Sequence, residues 1–175
     1  MPQYRRTLVP GGSFFFTVVT EGRRRLLTDE PARFALRQAI QDVRLERPFR
    51  IDGWVLLPDH LHAIWTLPRE DHDYATRWRL IKGRVTRLLA EAGHDTKAMT
   101  ARRRAKGQGS LWQNRFWEHR LRDDNDIRRH LDCLHFNPVK HGLVHRAADW
   151  RWSSFHRYVA EGVYPVEWGV ANGGS

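Results

Sequence analysis

Apolar and polar positions along the chain fall into short extended runs separated by helical stripes. Ser13 to Thr20 (S-F-F-F-T-V-V-T) is an apolar, aromatic and β-branched run after Gly11-Gly12, which reads as a buried strand. Thr28 or Asp29 can cap a helix with Pro31 in its first turn, and Phe34, Leu36, Ala39, Ile40, Val43 and Leu45 continue it at helical spacing. Pro48 stops that helix, and Phe49 to Leu57 reads as the next strand. Pro58-Asp59 then makes a bulge or short turn into a further strand from His60. Asp71 or Asp73 starts a second helix through Trp78, Leu80, Ile81, Val85, Leu88 and Leu89, with arginines and Lys82 on its other face.

From Ala92 to Ser110 the periodicity disappears, and the basic, glycine-containing composition predicts a mobile loop that orders against phosphates or is a tolerated insertion. Leu111 to Arg122 reads as a mixed aromatic and polar strand. Asp123 to Asp126 supply caps for a third helix from Ile127 to about Phe136, which Asn137-Pro138 is expected to end. A short last helix covers Phe155 to Glu161, and the tail from Val163 to Ser175, with Tyr164 and Trp168, is expected to pack back over its first half. There is neither a repeat nor a linker, so residues 1–175 read as one domain. The order β-α-β-β-α-β-α predicts an α+β, ferredoxin-like fold: an antiparallel sheet with helices packed on one face.

Composition adds the compartment and the partner. A chain of 175 residues with 41% hydrophobic positions can bury a sizeable core without staples. No apolar run reaches the ~20 residues of a membrane span, and Met1 to Arg6 lacks the layout of a signal peptide. With Cys133 as the single cysteine, an internal disulfide and a zinc ribbon are excluded. These features predict a soluble cytosolic protein. Thirty Lys and Arg against 20 Asp and Glu give a net charge of +10, mostly from arginine. Basic clusters recur at Arg5-Arg6, Arg23-Arg24-Arg25, Arg77 to Arg87 and Arg102-Arg103-Arg104. Guanidinium groups make bidentate phosphate contacts and stack on bases, so the balance points to nucleic acid. An acidic protein partner, or charge kept for solubility, is the alternative.

The candidate chemistry lies in W-V-L-L-P-D-H-L-H-A-I-W-T-L-P, from Trp54 to Pro68. In a strand His60 and His62 point to one face, about 7 Å apart, and can converge on one divalent cation. The plainer alternative is two half-buried histidines, each satisfied by a backbone carbonyl. On the third helix Cys133 and Asn137 are four residues apart and share a face, so Asn137 can add an oxygen ligand. Asn137 is at least as readily a helix C-cap before proline. Two imidazoles and an amide oxygen suit Mg²⁺ or Mn²⁺ better than zinc, and such a cation stabilises charge in phosphoryl transfer.

Read together, L-P-D-H-L-H-A-I-W-T-L-P, L-W-Q-N-R-F-W-E-H-R-L-R and N-P-V-K-H-G-L-V resemble the REP-associated tyrosine transposases, members of the HUH group of single-strand DNA nucleases. The likeness also takes in the N-terminal Y-R-R, P-G-G-S-F-F-F-T-V, R-P-F-R-I-D-G-W-V and the terminal Y-P-x-x-W, and covers Tyr4 to Gly169. It implies an HUH-nuclease type fold acting on single-stranded DNA beside a palindromic hairpin, as a monomer associated with the nucleoid. It implies that His60 and His62, with Asn137 as third ligand, hold Mg²⁺ or Mn²⁺ on the scissile phosphate. It also implies that basic residues grip the hairpin and its 5′ flank, the candidates being Arg5, Arg6, Arg77, Lys82, Arg102, Arg103, Arg104 and Arg115.

In the family a helix-borne tyrosine attacks the phosphodiester; at that position this chain carries Cys133, in D-C-L-H-F-N-P. Cysteine is several ångströms shorter than tyrosine, and in-line attack needs about 3–3.5 Å between reacting atoms. The resemblance implies cutting and rejoining of DNA by metal-assisted transesterification. With Cys133 in place of the tyrosine, the expectation is DNA binding with weak or no cleavage, the alternative being a regulatory descendant of a transposase whose metal site is vestigial.

Overall fold

The computed structural model describes residues 5–97, 101–105 and 111–172. Its elements are β1 (Ser13–Val19), α1 (Glu30–Glu46), β2 (Arg50–Leu56), β3 (His60–Thr66), α2 (Tyr74–Glu91), α3 (Ala101–Ala105), β4 (Trp117–Leu121), α4 (Asp124–Lys140) and α5 (Phe155–Ala160). The four strands form one antiparallel sheet in the order β2-β3-β1-β4, the strand order of a ferredoxin-like α+β layer. Among the described residues no helix is long and apolar enough to cross a membrane.

Helices cover both faces of this sheet, where the sequence pattern predicts one. Phe14, Phe16 and Val18 of β1 and Leu61, Ala63 and Trp65 of β3 pack with α1 and α2. Phe15 and Ile64, of the opposite parity, pack with Val55, Leu121 and Leu134 of α4. The physical reason is visible in the strands themselves. Phe14, Phe15 and Phe16 are consecutive and all buried, and β3 is buried from His60 through Trp65. A strand apolar at both parities needs cover on both sides.

Three further differences are local. In α1 the buried stripe is Ala32, Ala35, Leu36, Ala39 and Val43, while Phe34 and Leu45 are exposed. Only Trp117–Leu121 of the predicted strand pairs with β1; the stretch before it is anchored instead by a Thr20–Trp112 bridge and by Trp112 Nε1 donating to the Lys82 carbonyl. α4 runs through Pro138 to Lys140, because a proline so near the helix end forfeits little of the ladder. The helix stops one turn later, where His141 N–H bonds the Asn137 carbonyl and Gly142 takes φ +70°.

The predicted mobile loop contains the short helix α3, and Arg102 is exposed on it. Residues 98–100 and 106–110, and the side chains of Arg103 and Arg104, lie outside the described residues, as does Tyr4. The tail packs back as expected: Tyr164 is buried with Phe155 and Ala147, Trp168 stands 4.7 Å from the Tyr164 ring, and Val170 bridges to Arg146.

Candidate functional site

β3 leaves the Pro58-Asp59 turn in a fixed register. Thr20 donates its N–H (2.9 Å) and its hydroxyl (3.0 Å) to the Asp59 carbonyl, Leu27 N–H bonds the Pro58 carbonyl, and Leu57 N–H bonds the His60 carbonyl. Strand alternation then turns His60 and His62 toward α4, with ring centroids 5.0 Å apart. Gly53 of β2 lets α4 come close. A Cβ there would stand 2.8 Å from Leu131 Cδ2 and 3.4 Å from Leu134 Cδ1. A side chain at that position would force the Leu131 side chain to give way.

Each imidazole is held by its Nδ1. His60 Nδ1 lies 2.7 Å from Asp59 Oδ1, and His62 Nδ1 lies 2.9 Å from Thr17 Oγ1. A carboxylate on Nδ1 favours the tautomer that leaves the Nε2 lone pair free, the usual way a metal-binding imidazole is oriented. Burial alone would raise the Asp59 carboxyl, but hydrogen bonds and charge from His60 and Arg23 outweigh it and hold the group below its ordinary range. Burial, followed by repulsion from His60, pushes His62 down to about 3, so this ring is neutral at physiological pH. Neutral imidazole is the ligating form.

Asn137 reaches the same place from α4. Its Oδ1 is buried beside the His62 ring, close enough to act on it, yet it makes no hydrogen bond of proper geometry among the described residues. A buried acceptor left empty costs roughly 1–3 kcal/mol, so a cation or donor bound there would be stabilising. Two Nε2 lone pairs and an orphaned amide oxygen form a donor set that suits an octahedral, oxygen-preferring cation with open positions. His141, one turn beyond Asn137, brings a third imidazole ring 5.2 Å from His60. Cys133, one turn before Asn137 on the same helix face, is an exposed free thiol.

The basic candidates divide. Arg5, Arg6, Arg102 and Arg115 are exposed, and Arg6 lies 4.3 Å over the Phe116 ring. Lys82 donates to the Gln113 carbonyl (2.8 Å) and lines a surface cavity of about 390 Å³ with Arg87, Trp112 and Asn114. Arg77 corrects the expectation of a solvated basic face. It is 1% exposed, and its guanidinium donates to the carbonyls of Arg47, Pro48 and Asp73 and to Asp71 Oδ2 at 2.7–3.1 Å. Such a group ties α2 to the end of α1 and cannot reach a phosphate.

A second cluster escaped the sequence reading. His119 of β4 and Asp126 and His130 of α4 offer ligand atoms within 4.8 Å of one another, a spacing that could hold a cation. Most of their capacity is spent internally. The Asp126 carboxylate accepts from Arg122 N–H and Arg129, and His130 Nδ1 faces the Asp126 carbonyl at 2.8 Å. The Arg122 bond comes first among the causes that hold the Asp126 carboxyl below its ordinary range. The D-x-x-x-H spacing was visible, but its meeting with His119 depends on the β1–β4 register, in which Phe15 pairs with His119.

No protein-family model matches the chain. Over 169 residues it is 45% identical to the REP-associated tyrosine transposase of Escherichia coli K12, covering 96% of this chain and 91% of that protein. A solved structure of a REP-associated tyrosine transposase bound to a REP hairpin superposes with a TM-score of 0.79 at 42% identity, covering 100% of this chain and 94% of that one.

Proposed function

The chain belongs to the REP-associated tyrosine transposases, and from that premise we propose that it binds hairpin-bearing single-stranded DNA as one monomeric HUH domain without cutting it. The observation that carries this reading is the pocket where His60 and His62, each fixed through Nδ1, meet the orphaned Asn137 Oδ1. Asp59 and Thr17 orient the two rings, burial keeps His62 neutral, and Asn137 supplies the oxygen. A Mg²⁺ or Mn²⁺ held there supplies Lewis-acid polarisation of a phosphate oxygen. The solved relative bound to a REP hairpin supports the choice of DNA, as do the exposed Arg5, Arg6, Arg102 and Arg115 with Lys82. Arg77 is withdrawn from that set by its burial.

Cys133 decides the chemistry. It occupies the helix position from which the family's tyrosine attacks, one turn from Asn137, but its Sγ sits only one bond beyond Cβ. A phosphate seated on the His60–His62 pair is then out of its reach, because attack needs near-contact of the reacting atoms. A sulfur nucleophile is also poorly matched to a hard, cation-bound phosphate.

The test is nicking of a hairpin oligonucleotide in Mn²⁺ by this protein and by Cys133→Tyr. The expected result is that both bind, only the variant nicks, and the variant alone becomes covalently joined to a 5′-phosphate. Nicking by the unchanged protein would overturn the reading. Binding by both with cleavage by neither would favour a regulatory descendant with a vestigial pocket. Affinity for the hairpin should also fall steeply between about 50 and about 200 mM salt.

A further inference from the structure

We propose that Trp117 is the stacking platform for one nucleobase of the single strand beside the phosphate pocket, an inference that rests on the DNA-binding reading above. Seven of the eight tryptophans are buried or half-buried, whereas Trp117 is 52% exposed on a strand. Tryptophan is a costly residue to leave in water on a rigid sheet, and here its position is specific. Thr17 pairs with Trp117 on one side and with His62 on the other, so the indole stands two strand spacings, about 10 Å, from the pocket. The Phe15 ring touches both, 5.2 Å from His62 and 6.0 Å from Trp117.

The indole is braced from behind. The His119 ring lies nearly parallel to it, 4° and 5.8 Å, and His130 stacks on His119 at 19° and 4.8 Å. The Asp126 carboxylate lies beside both imidazoles, 3.6 Å from His119 Nε2 and 3.2 Å from His130 Nδ1, and the Asp126 carbonyl meets His130 Nδ1 at 2.8 Å. The indole therefore has a supported face and an exposed surface, and a base landing on it immobilises little that is not already fixed. That gives the His119–Asp126–His130 cluster a role as a buttress.

The helix closes the argument. Asp126, His130, Cys133 and Asn137 follow one another at spacings of four, three and four along one face of α4. The nucleophile position thus lies between the buttress of Trp117 and the oxygen ligand of the pocket. A strand with one phosphate on His60 and His62 has a neighbouring base at the indole. Every base has a π-face, so the platform selects for an unpaired nucleotide at this step rather than for a particular base.

The experiment measures binding of a hairpin carrying a single-stranded flank, with one abasic site moved along the flank. The unchanged protein, Trp117→Ala and Trp117→Phe are compared, and a blunt hairpin without flank is the control. At one flank position the abasic site should weaken binding by the unchanged protein about tenfold, a size within the range for base–aromatic stacking. Trp117→Ala should show the same loss with an intact flank and no further loss at that abasic site. Trp117→Phe should recover most of it, and all three should bind the blunt hairpin alike. A 2-aminopurine at the same position should be quenched by the unchanged protein and not by Trp117→Ala. The proposal is overturned if Trp117→Ala weakens the blunt hairpin as much as the flanked one, or if its loss adds to that of every abasic site. Failure of the unchanged protein to bind any hairpin would instead sink the reading on which the platform rests.

Discussion

Two buried polar groups, Arg77 on one face of the sheet and Asn137 on the other, are satisfied to very different degrees. Under α1 and α2, Arg77 is enclosed with Trp78, Trp65 and Phe49 nearby, and four hydrogen bonds take up its five N–H donors but one. Under α4, Asn137 Oδ1 is enclosed beside the His62 ring with no hydrogen bond of proper geometry among the described residues. Two imidazoles held through Nδ1 stand at the same place. A satisfied buried polar group fixes one arrangement of the chain, and an unsatisfied one holds a place for something absent. The contrast separates a group that holds the molecule together from one that lines the candidate site.

Removing the satisfied group should have the largest effect. Arg77→Met leaves three carbonyls without their donor and Asp71 without its partner, which should lower unfolding stability by about 3 kcal/mol or more. Urea denaturation gives that number. Lys82→Ala is the control from the exposed side of the same helix: its urea midpoint should barely move, while the salt slope of hairpin binding falls by about 1. If Arg77→Met instead reduced the salt slope and spared the midpoint, the assignment of this arginine to structure would be wrong.

Filling the unsatisfied site should give the next largest effect. With Mn²⁺ at about one hundred times its dissociation constant, the protein should gain about 2.7 kcal/mol by linkage. His62→Ala should lose that gain, and a chelator should not shift its melting temperature. An equal Mn²⁺ response in His62→Ala would place the cation elsewhere, with His119, Asp126 and His130 as the first alternative.

How much of this was legible in the sequence follows from the range of each interaction. The shared direction of His60 and His62 depends on a period of two within one strand, and the shared face of Cys133 and Asn137 on one helical turn. Both are local and could be read. Arg77 could not be read, because a charged residue on an amphipathic helix normally lies in water. Its burial needs the carbonyls of Arg47 and Pro48, thirty residues away. The second covered face was legible but missed: three consecutive phenylalanines at Phe14 to Phe16 cannot all point to one side. Trp117 and its histidine buttress depend on the register between β1 and β4, which brings together residues a hundred positions apart. Pro138 misled because its cost depends on how much helix remains after it, and here that is only to Lys140.

Acid provides a third and smaller probe, applied to a buried histidine outside the pocket. His135 packs under the tail, its Nε2 2.7 Å from Ser154 Oγ, and burial followed by the charges of Arg157 and His156 pushes it down to about 3. The folded state therefore refuses a proton that the unfolded chain accepts near 6.5. Its contribution is complete above that value and is lost as pH falls toward 3. Between pH 7 and pH 5 the loss should be roughly 2 kcal/mol. His135→Gln should show a pH-dependent fall smaller by that amount, with the part due to His62 remaining. An unchanged fall in urea midpoint would show that His135 does not contribute.

The smallest effect is the most discriminating. Asn137→Leu keeps a side chain of similar size at the α4–sheet contact and deletes the oxygen that makes no hydrogen bond of proper geometry among the described residues. For an ordinary buried amide this change destabilises, because partners are stranded. For Asn137 no proper hydrogen bond is lost, so stability without metal should hold or rise by about 1 kcal/mol. With Mn²⁺ the order should reverse, the unchanged protein gaining more than the variant because it alone has the oxygen ligand. Melting curves of both proteins, with chelator and with Mn²⁺, give the four values needed. A crossing of the two pairs identifies an oxygen kept for a cation. Parallel pairs, with Asn137→Leu lower in both, would mean that Asn137, like Arg77, is a group that holds the fold.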